Sequence, residues 1–206
     1  MAHNEQTLSI ETINNLKSKY RDFLATNSGK ICLKNAVESK KKWLQLKKFS
    51  NFTANSASVK KELLPKSIQG RMKLVKINPI GVNNVCFKNA EVFSGDGFTS
   101  RMGYNMCSCP CGKKMGFELH SLNKKDGKLY DFTKDFNDEN EKWFIELNTD
   151  SKASPFIQCW GPEAFSVNDG CKCPISFTLC SGVNEVTISQ FEKILDKMET
   201  TKIICL

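Results

Sequence analysis

The dipeptide Asp126-Gly127, set between two stretches of alternating polarity, constrains this chain more tightly than any other local feature. A two-residue Asp-Gly turn takes positive φ at both positions and so determines which residues of the flanking strands face each other. Before it, Met115, Phe117, Leu119 and Ser121 alternate with Gly116, Glu118 and His120, the period of a half-buried strand. Residues 128–133 read as the return strand. With Asp126 and Gly127 central, His120 pairs with Thr133 and has Asp131 as its diagonal neighbour on the same face. With the turn slipped to Lys125-Asp126, His120 and Asp131 stand directly opposite. Either register sets an imidazole beside a carboxylate within cross-strand reach. Only a one-residue slip parts them, by turning one side chain to the other face.

A thiol precedes this pair in the segment Asn84-Val85-Cys86-Phe87-Lys88-Asn89-Ala90. Asn84 is the expected N-cap, and Phe87, Ala90 and Phe93 form an apolar stripe at helical spacing before the breaker Gly95-Asp96-Gly97. Cys86 then falls in the first helical turn, where unpaired backbone N–H groups and the positive end of the dipole favour a thiolate. Cys86, His120 and Asp131, in that order, supply a nucleophile, a base and an orienter. The plainer alternatives are familiar. A helix cysteine is most often a small buried hydrophobe, and the chain has ten cysteines. Strand histidines and turn-flanking aspartates are common on surfaces. There are only two histidines, however, and His3 lies in an N-terminal stretch expected to fray. His120 is therefore the one credible general base.

The run from Asn84 to Ala90 resembles the "Cys-aromatic-x-Asn-Ala" helix start of small papain-like and transglutaminase-like cysteine hydrolases. Arg101-Met102-Gly103-Tyr104 is similar to the strand that follows that helix, and Phe117-Glu118-Leu119-His120-Ser121-Leu122 stands where the family carries "Glu-His-Ala-Trp". Asp126-Gly127-Lys128-Leu129-Tyr130-Asp131-Phe132-Thr133 is similar to "Asp-Gly-x-Val-x-Asp-Pro-Thr", and Trp143-Phe144-Ile145 resembles the "Tyr-Phe-Gly" stretch that comes next. The resemblance spans residues 75–148. Ser121, Leu122 and Phe132 depart from the family pattern, and an insertion carrying Cys107, Cys109, Pro110 and Cys111 precedes the histidine strand. These departures bear on the pocket and leave the triad positions intact.

The resemblance implies an α+β fold with a papain-like/transglutaminase-like core: a helix bearing Cys86 packed on an antiparallel sheet bearing His120 and Asp131. It implies acyl transfer at amide bonds of a protein or peptide substrate, without a cofactor. Water as acceptor makes a peptidase (a thiol protease), an amidase or a deamidase; an amine makes a transglutaminase. The backbone N–H of Cys86 and a side chain such as Asn83 or Asn84 are the expected oxyanion donors.

Charge divides the chain unevenly. Residues 1–70 hold 13 basic and 5 acidic side chains, which accounts for the whole formal excess of +8. Residues 8–25 read as an amphipathic helix capped by Ser9 and ended by Asn27-Ser28-Gly29. Residues 31–49 read as a second helix, with Ile31, Leu33, Val37, Trp43, Leu44, Leu46 and Phe49 apolar and Lys40, Lys41, Lys42, Lys47 and Lys48 polar. Residues 50–70 have linker composition, and Arg71–Asn78 reads as a strand ended by Pro79. The expected division is a basic helical segment with linker over 1–70 and a cysteine-hydrolase-like domain over 71–206. An anionic partner, nucleic acid or membrane surface, suits the lysine-rich helices, although a solvated face explains them more simply.

Further strands are expected at 142–147, 155–160 and 176–180. Thr187-Ile188-Ser189-Gln190 reads as a capping box opening a helix, and residues 202–206 as a terminal strand. No run of 18 apolar residues and no secretory signal is visible. The expected location is therefore the cytoplasm, a reducing compartment where ten cysteines stay free or bind metal, with a viral or delivered-effector origin.

Cys107, Cys109 and Cys111, with the distant Cys171 and Cys173, form the competing constellation. Clustered thiolates beside Pro and Gly turns suit tetrahedral zinc, although one residue separates paired cysteines here where zinc knuckles usually place two. Were His120 a further ligand, the triad would lose its base. On this alternative the chain is a non-enzymatic, zinc-stabilised structural or interaction protein, virion or nucleic-acid-associated.

Overall fold

Ser9 accepts a hydrogen bond from the Thr12 backbone N–H and caps helix α1 (Ile10–Ala25), as its position before the apolar periodicity implies. The computed structural model describes residues 8–49, 59–109, 111–135, 139–147, 164–168, 170–172 and 184–200. Helix α2 (Asn27–Phe49) begins directly after the Thr26 cap, so Asn27-Ser28-Gly29 forms its first turn instead of a break. Gly29 permits the close crossing: a Cβ there would lie 2.1 Å from the Phe23 carbonyl oxygen. The stripe expected to bury α2 is largely exposed at Ile31, Leu33, Val37 and Leu44, while Ala36 is buried. Helix α1, by contrast, turns Leu16 and Tyr20 into a cluster with Phe93, Phe98 and Phe132.

Residues 59–70 do not form the linker their composition suggests. A 3-10 turn (Lys61–Leu63) and helix α3 (Lys66–Arg71) carry Leu64 and Ile68 into the main core beside Val59. Three widely spaced apolar residues do the anchoring, which a polar average conceals. The expected strand starts at Met72 instead of Arg71. It runs through Pro79 to Gly81 as β1 (Met72–Gly81), because Pro79 falls in an interruption of the ladder between Ile77 and Gly81 where its missing N–H is tolerated.

Helix α4 (Cys86–Val92) follows, then β2 (Thr99–Ser108), β3 (Lys114–Lys125), β4 (Lys128–Thr133), β5 (Glu141–Glu146), β6 (Ala164–Asn168), β7 (Asn184–Val186) and α5 (Ile188–Thr200). The sheet order is β2-β5-β1-β4-β3-β6-β7, and β2 also pairs with β3. Strands β1 to β5 therefore close into a five-stranded barrel, with β6 and β7 extending its β3 edge. The fold is mixed α+β, but its sheet is not wholly antiparallel: β1–β4 and β6–β7 are parallel. The long connection from β1 through α4 and the β2–β3 pair makes the parallel β1–β4 contact sterically available. The capping box forms as read, with the Thr187 N–H donating to Gln190 Oε1 and the Gln190 N–H to Thr187 Oγ1, and α5 buries Phe191 and Leu195. The strands expected at 155–160, 176–180 and 202–206 lie outside the described residues. Among the described residues no helix is long and apolar enough to cross a membrane.

Gly103 on β2 stands opposite both His120 and Glu146. A Cβ there would lie 2.0 Å from the Ile145 carbonyl oxygen and 2.4 Å from the Phe144 ring. Gly103→Ala is expected to cost at least about 1–3 kcal/mol through forced strand displacement. Denaturant unfolding checks this, with Gly127→Ala in the open turn as the comparison for the left-handed backbone alone.

Candidate active site

The hairpin forms in the register set by Asp126-Gly127 at its centre. These residues take φ of 49° and 76°, and Asn123, Lys124 and Lys125 pair with Tyr130, Leu129 and Lys128. Beyond Tyr130, β4 leaves β3 for β1, with Asp131 opposite Ile77. The side chains still meet: His120 Nε2 lies 2.7 Å from Asp131 Oδ2, and both residues are buried.

Asp131 has more partners than a sequence reading suggests. Its Oδ1 accepts the Thr133 backbone N–H at 2.8 Å. Its Oδ2 also accepts Lys142 Nζ at 3.1 Å, and Lys142, almost fully buried on β5, reaches Asp135 at 3.6 Å. Burial opposes ionisation of Asp131, but His120 and Lys142 outweigh it and hold the carboxyl well below the usual range. Burial likewise disfavours imidazolium. The Asp131 carboxylate and the Cys86 sulfur overcome that and the opposing Lys142 charge, pushing His120 up to about 10. Lys142 is itself raised: Asp131 and Asp135 outweigh its desolvation.

Cys86 is the first residue of α4, half-buried. The expected cap is corrected. Val85 occupies the N-cap position without a side-chain bond. Asn84, at φ 58°, is exposed and donates through Nδ2 to Ser39 Oγ on α2 at 2.7 Å. The Asn84 amide is thus engaged with α2, while the neighbouring Asn83 is buried. The apolar stripe is also shifted. Ala90 and Phe93 are buried, but Phe87 is exposed beside the thiol.

Asn89 supports the site from behind. Its Oδ1 accepts Tyr20 Oη from α1 at 2.8 Å, while its Nδ2 donates to the Val82 carbonyl at 2.7 Å and to Thr133 Oγ1 at 3.1 Å. Tyr20 Oη also accepts the Val82 N–H at 3.0 Å. A continuous set of bonds thus runs from α1 through Asn89 and Thr133 to Asp131. Asn89 was legible as part of a motif without a role. Lys142 had one signal, a lysine at the same strand parity as buried Phe144.

The cysteines divide. Cys109, Cys111 and Cys171 bring their sulfurs within 3.4 Å of one another and form a group able to hold a metal. Cys107 does not join it. The residue is half-buried and turns its thiol to the Gly116 carbonyl, 3.8 Å away, and desolvation with nearby acidic groups pushes it up to about 12. Cys173 lies outside the described residues. His120 is not in the group, so the competition for it expected from the sequence does not arise there. The chain matches no protein-family model, no curated protein and no solved structure.

Proposed function

We propose that this protein is a cysteine-nucleophile acyl-transfer enzyme acting on amide bonds, with a papain-like/transglutaminase-like core and a triad of Cys86, His120 and Asp131. The observation that carries the proposal is the buried His120–Asp131 pair at 2.7 Å, with Cys86 at the start of α4 among the groups that raise the imidazole. Asp131 engages Nε2, which leaves Nδ1 as the nitrogen available to exchange a proton with a thiol. His120 favours imidazolium at neutral pH, the form that donates a proton to a leaving nitrogen.

The Cys86 thiolate attacks the amide carbon and forms a C–S bond, and the displaced electron pair makes an oxyanion. The backbone N–H at the start of α4 and the Asn83 amide are its proposed donors. His120 gives its proton to the leaving nitrogen as the C–N bond breaks, leaving a thioester. Water or an amine then attacks the thioester, with neutral His120 taking the proton, and the Cys86 thiolate departs. Water gives a peptidase, amidase or deamidase, and an amine gives a transglutaminase. Asp131 holds the tautomer and supports the cation, as the acidic member of a triad does. Exposed Phe87 offers apolar surface to the acyl side of a protein or peptide substrate. The lysine-rich helices remain a proposed contact for an anionic partner.

The alternative, a non-enzymatic zinc-stabilised structural protein, draws on the thiol triangle. That triangle leaves His120 aside, so metal binding and a triad are compatible. Limiting iodoacetamide at neutral pH with peptide mapping tests the enzymatic proposal. Cys86 is expected to be modified well ahead of the other nine thiols, and equal modification of several would overturn it.

A further inference from the structure

We propose that Cys109, Cys111 and Cys171 are ligands of one structural zinc ion that fastens the β2–β3 turn to the segment after β6, independently of the triad. The three sulfurs form a near-equilateral triangle with sides of 3.0, 3.4 and 3.4 Å, contributed by two segments sixty residues apart. Three thiolates on a tetrahedral zinc at about 2.3 Å stand about 3.8 Å apart, so a spread of roughly 0.4–0.8 Å between these sulfurs would give three of its positions. The fourth position faces away from the triangle and takes solvent or a further thiol.

The local backbone is built for this. Cys109 and Cys111 flank a tight turn in which the Gly112 N–H donates to the Cys109 carbonyl at 2.8 Å, and Gly112 takes φ 76°. The Lys114 N–H donates to Cys109 Sγ at 3.3 Å, a bond that orients the sulfur. Cys109 is fully buried and Cys111 and Cys171 are half-buried, so the three sulfurs converge on a space largely shielded from solvent. Lys172 follows Cys171 directly and Lys113 follows Cys111 after Gly112, so basic residues neighbour the ligands in sequence.

A disulfide is the competing use of the same atoms. It accounts for two of the three sulfurs and gives no reason for the third to converge on both. Cys107 marks the limit of the site, being bonded elsewhere although it shares the one-residue spacing. Lys114 and His120 are six residues apart on β3, about 20 Å along an extended strand, so the ion lies far from the triad. Its role is to hold the end of β6, where Asn168 pairs with Lys114, against the barrel.

The test uses the full chain, purified under reducing conditions, with zinc measured by elemental analysis. About one zinc per chain is expected. It should be released stoichiometrically by a mercurial thiol reagent and replaceable by cobalt with thiolate charge-transfer and tetrahedral absorption bands. Cys109→Ser and Cys171→Ser should lose stoichiometric zinc, and Cys107→Ser should keep it. Should the variants fail to fold, mercurial release and the cobalt spectrum of the unmodified chain still decide the matter. Reduced protein that takes up no zinc or cobalt, zinc that survives Cys109→Ser and Cys171→Ser, or a Cys109–Cys111 disulfide as the stable state of zinc-free protein would each overturn the proposal. Labelling of Cys86 is read separately, so failure here leaves the triad proposal standing.

Discussion

Replacing His120 by Ala should slow covalent capture of Cys86 by a thiol-directed amide or peptide probe at pH 7 by about 100-fold or more, the usual scale for losing a positioned acid–base group. Cys86→Ala should abolish capture while leaving the fold intact, because the sulfur is half-buried and is not needed by the barrel core. The pH profile supplies the sign. His120 is raised to about 10, so the imidazolium persists through neutrality and is lost only as the pH approaches that value. The rate should therefore hold well above pH 7 in the unmodified chain, and His120→Ala should remove the dependence on this group. An unchanged rate in His120→Ala, measured by intact-mass kinetics, would show that the imidazole does not act on Cys86.

The second large effect concerns stability. Asp131→Asn removes the carboxylate that pairs with both His120 and Lys142 and leaves Lys142 its longer contact to Asp135. Breaking a buried ion pair by removing one partner costs about 3–5 kcal/mol, a large part of the stability of an ordinary domain. Asp131→Asn with Lys142→Met should recover a substantial share, since it also removes the ammonium that Asp131 paired.

The linkage has a definite direction. Asp131 is depressed, so its contribution is present above about pH 4, the unfolded carboxyl value, and is lost as pH falls. His120 is raised, so its contribution is complete below about 6.5 and declines as pH rises toward about 10. Stability should be greatest between these limits and fall from pH 6.5 to 9. Urea unfolding across that range, with His120→Ala as a flatter control, checks the slope. Identical slopes in both proteins would remove His120 from the account.

What the amino-acid sequence determined by itself is local. Asp126-Gly127 set the hairpin register over 123–130 because a two-residue turn with positive φ leaves little freedom, while His120 and Asp131 meet beyond that paired stretch, where β4 has turned to β1. Ser9 and the Thr187–Gln190 box marked helix starts because a capping side chain acts within three residues. Tertiary structure decided everything that depends on which surfaces meet. Closure of five strands put Lys142 against Asp131, a contact no spacing along β5 announces. Packing drew Tyr20 from α1 onto Asn89, and the apparent linker at 59–70 into the core, since a few well-placed apolar side chains outweigh a polar average. It also separated Cys107 from Cys109, Cys111 and Cys171. Alternation along a strand puts Cys107 and Cys109 on one face, but the chain turns at Cys109, and beyond that point direction is set by the fold.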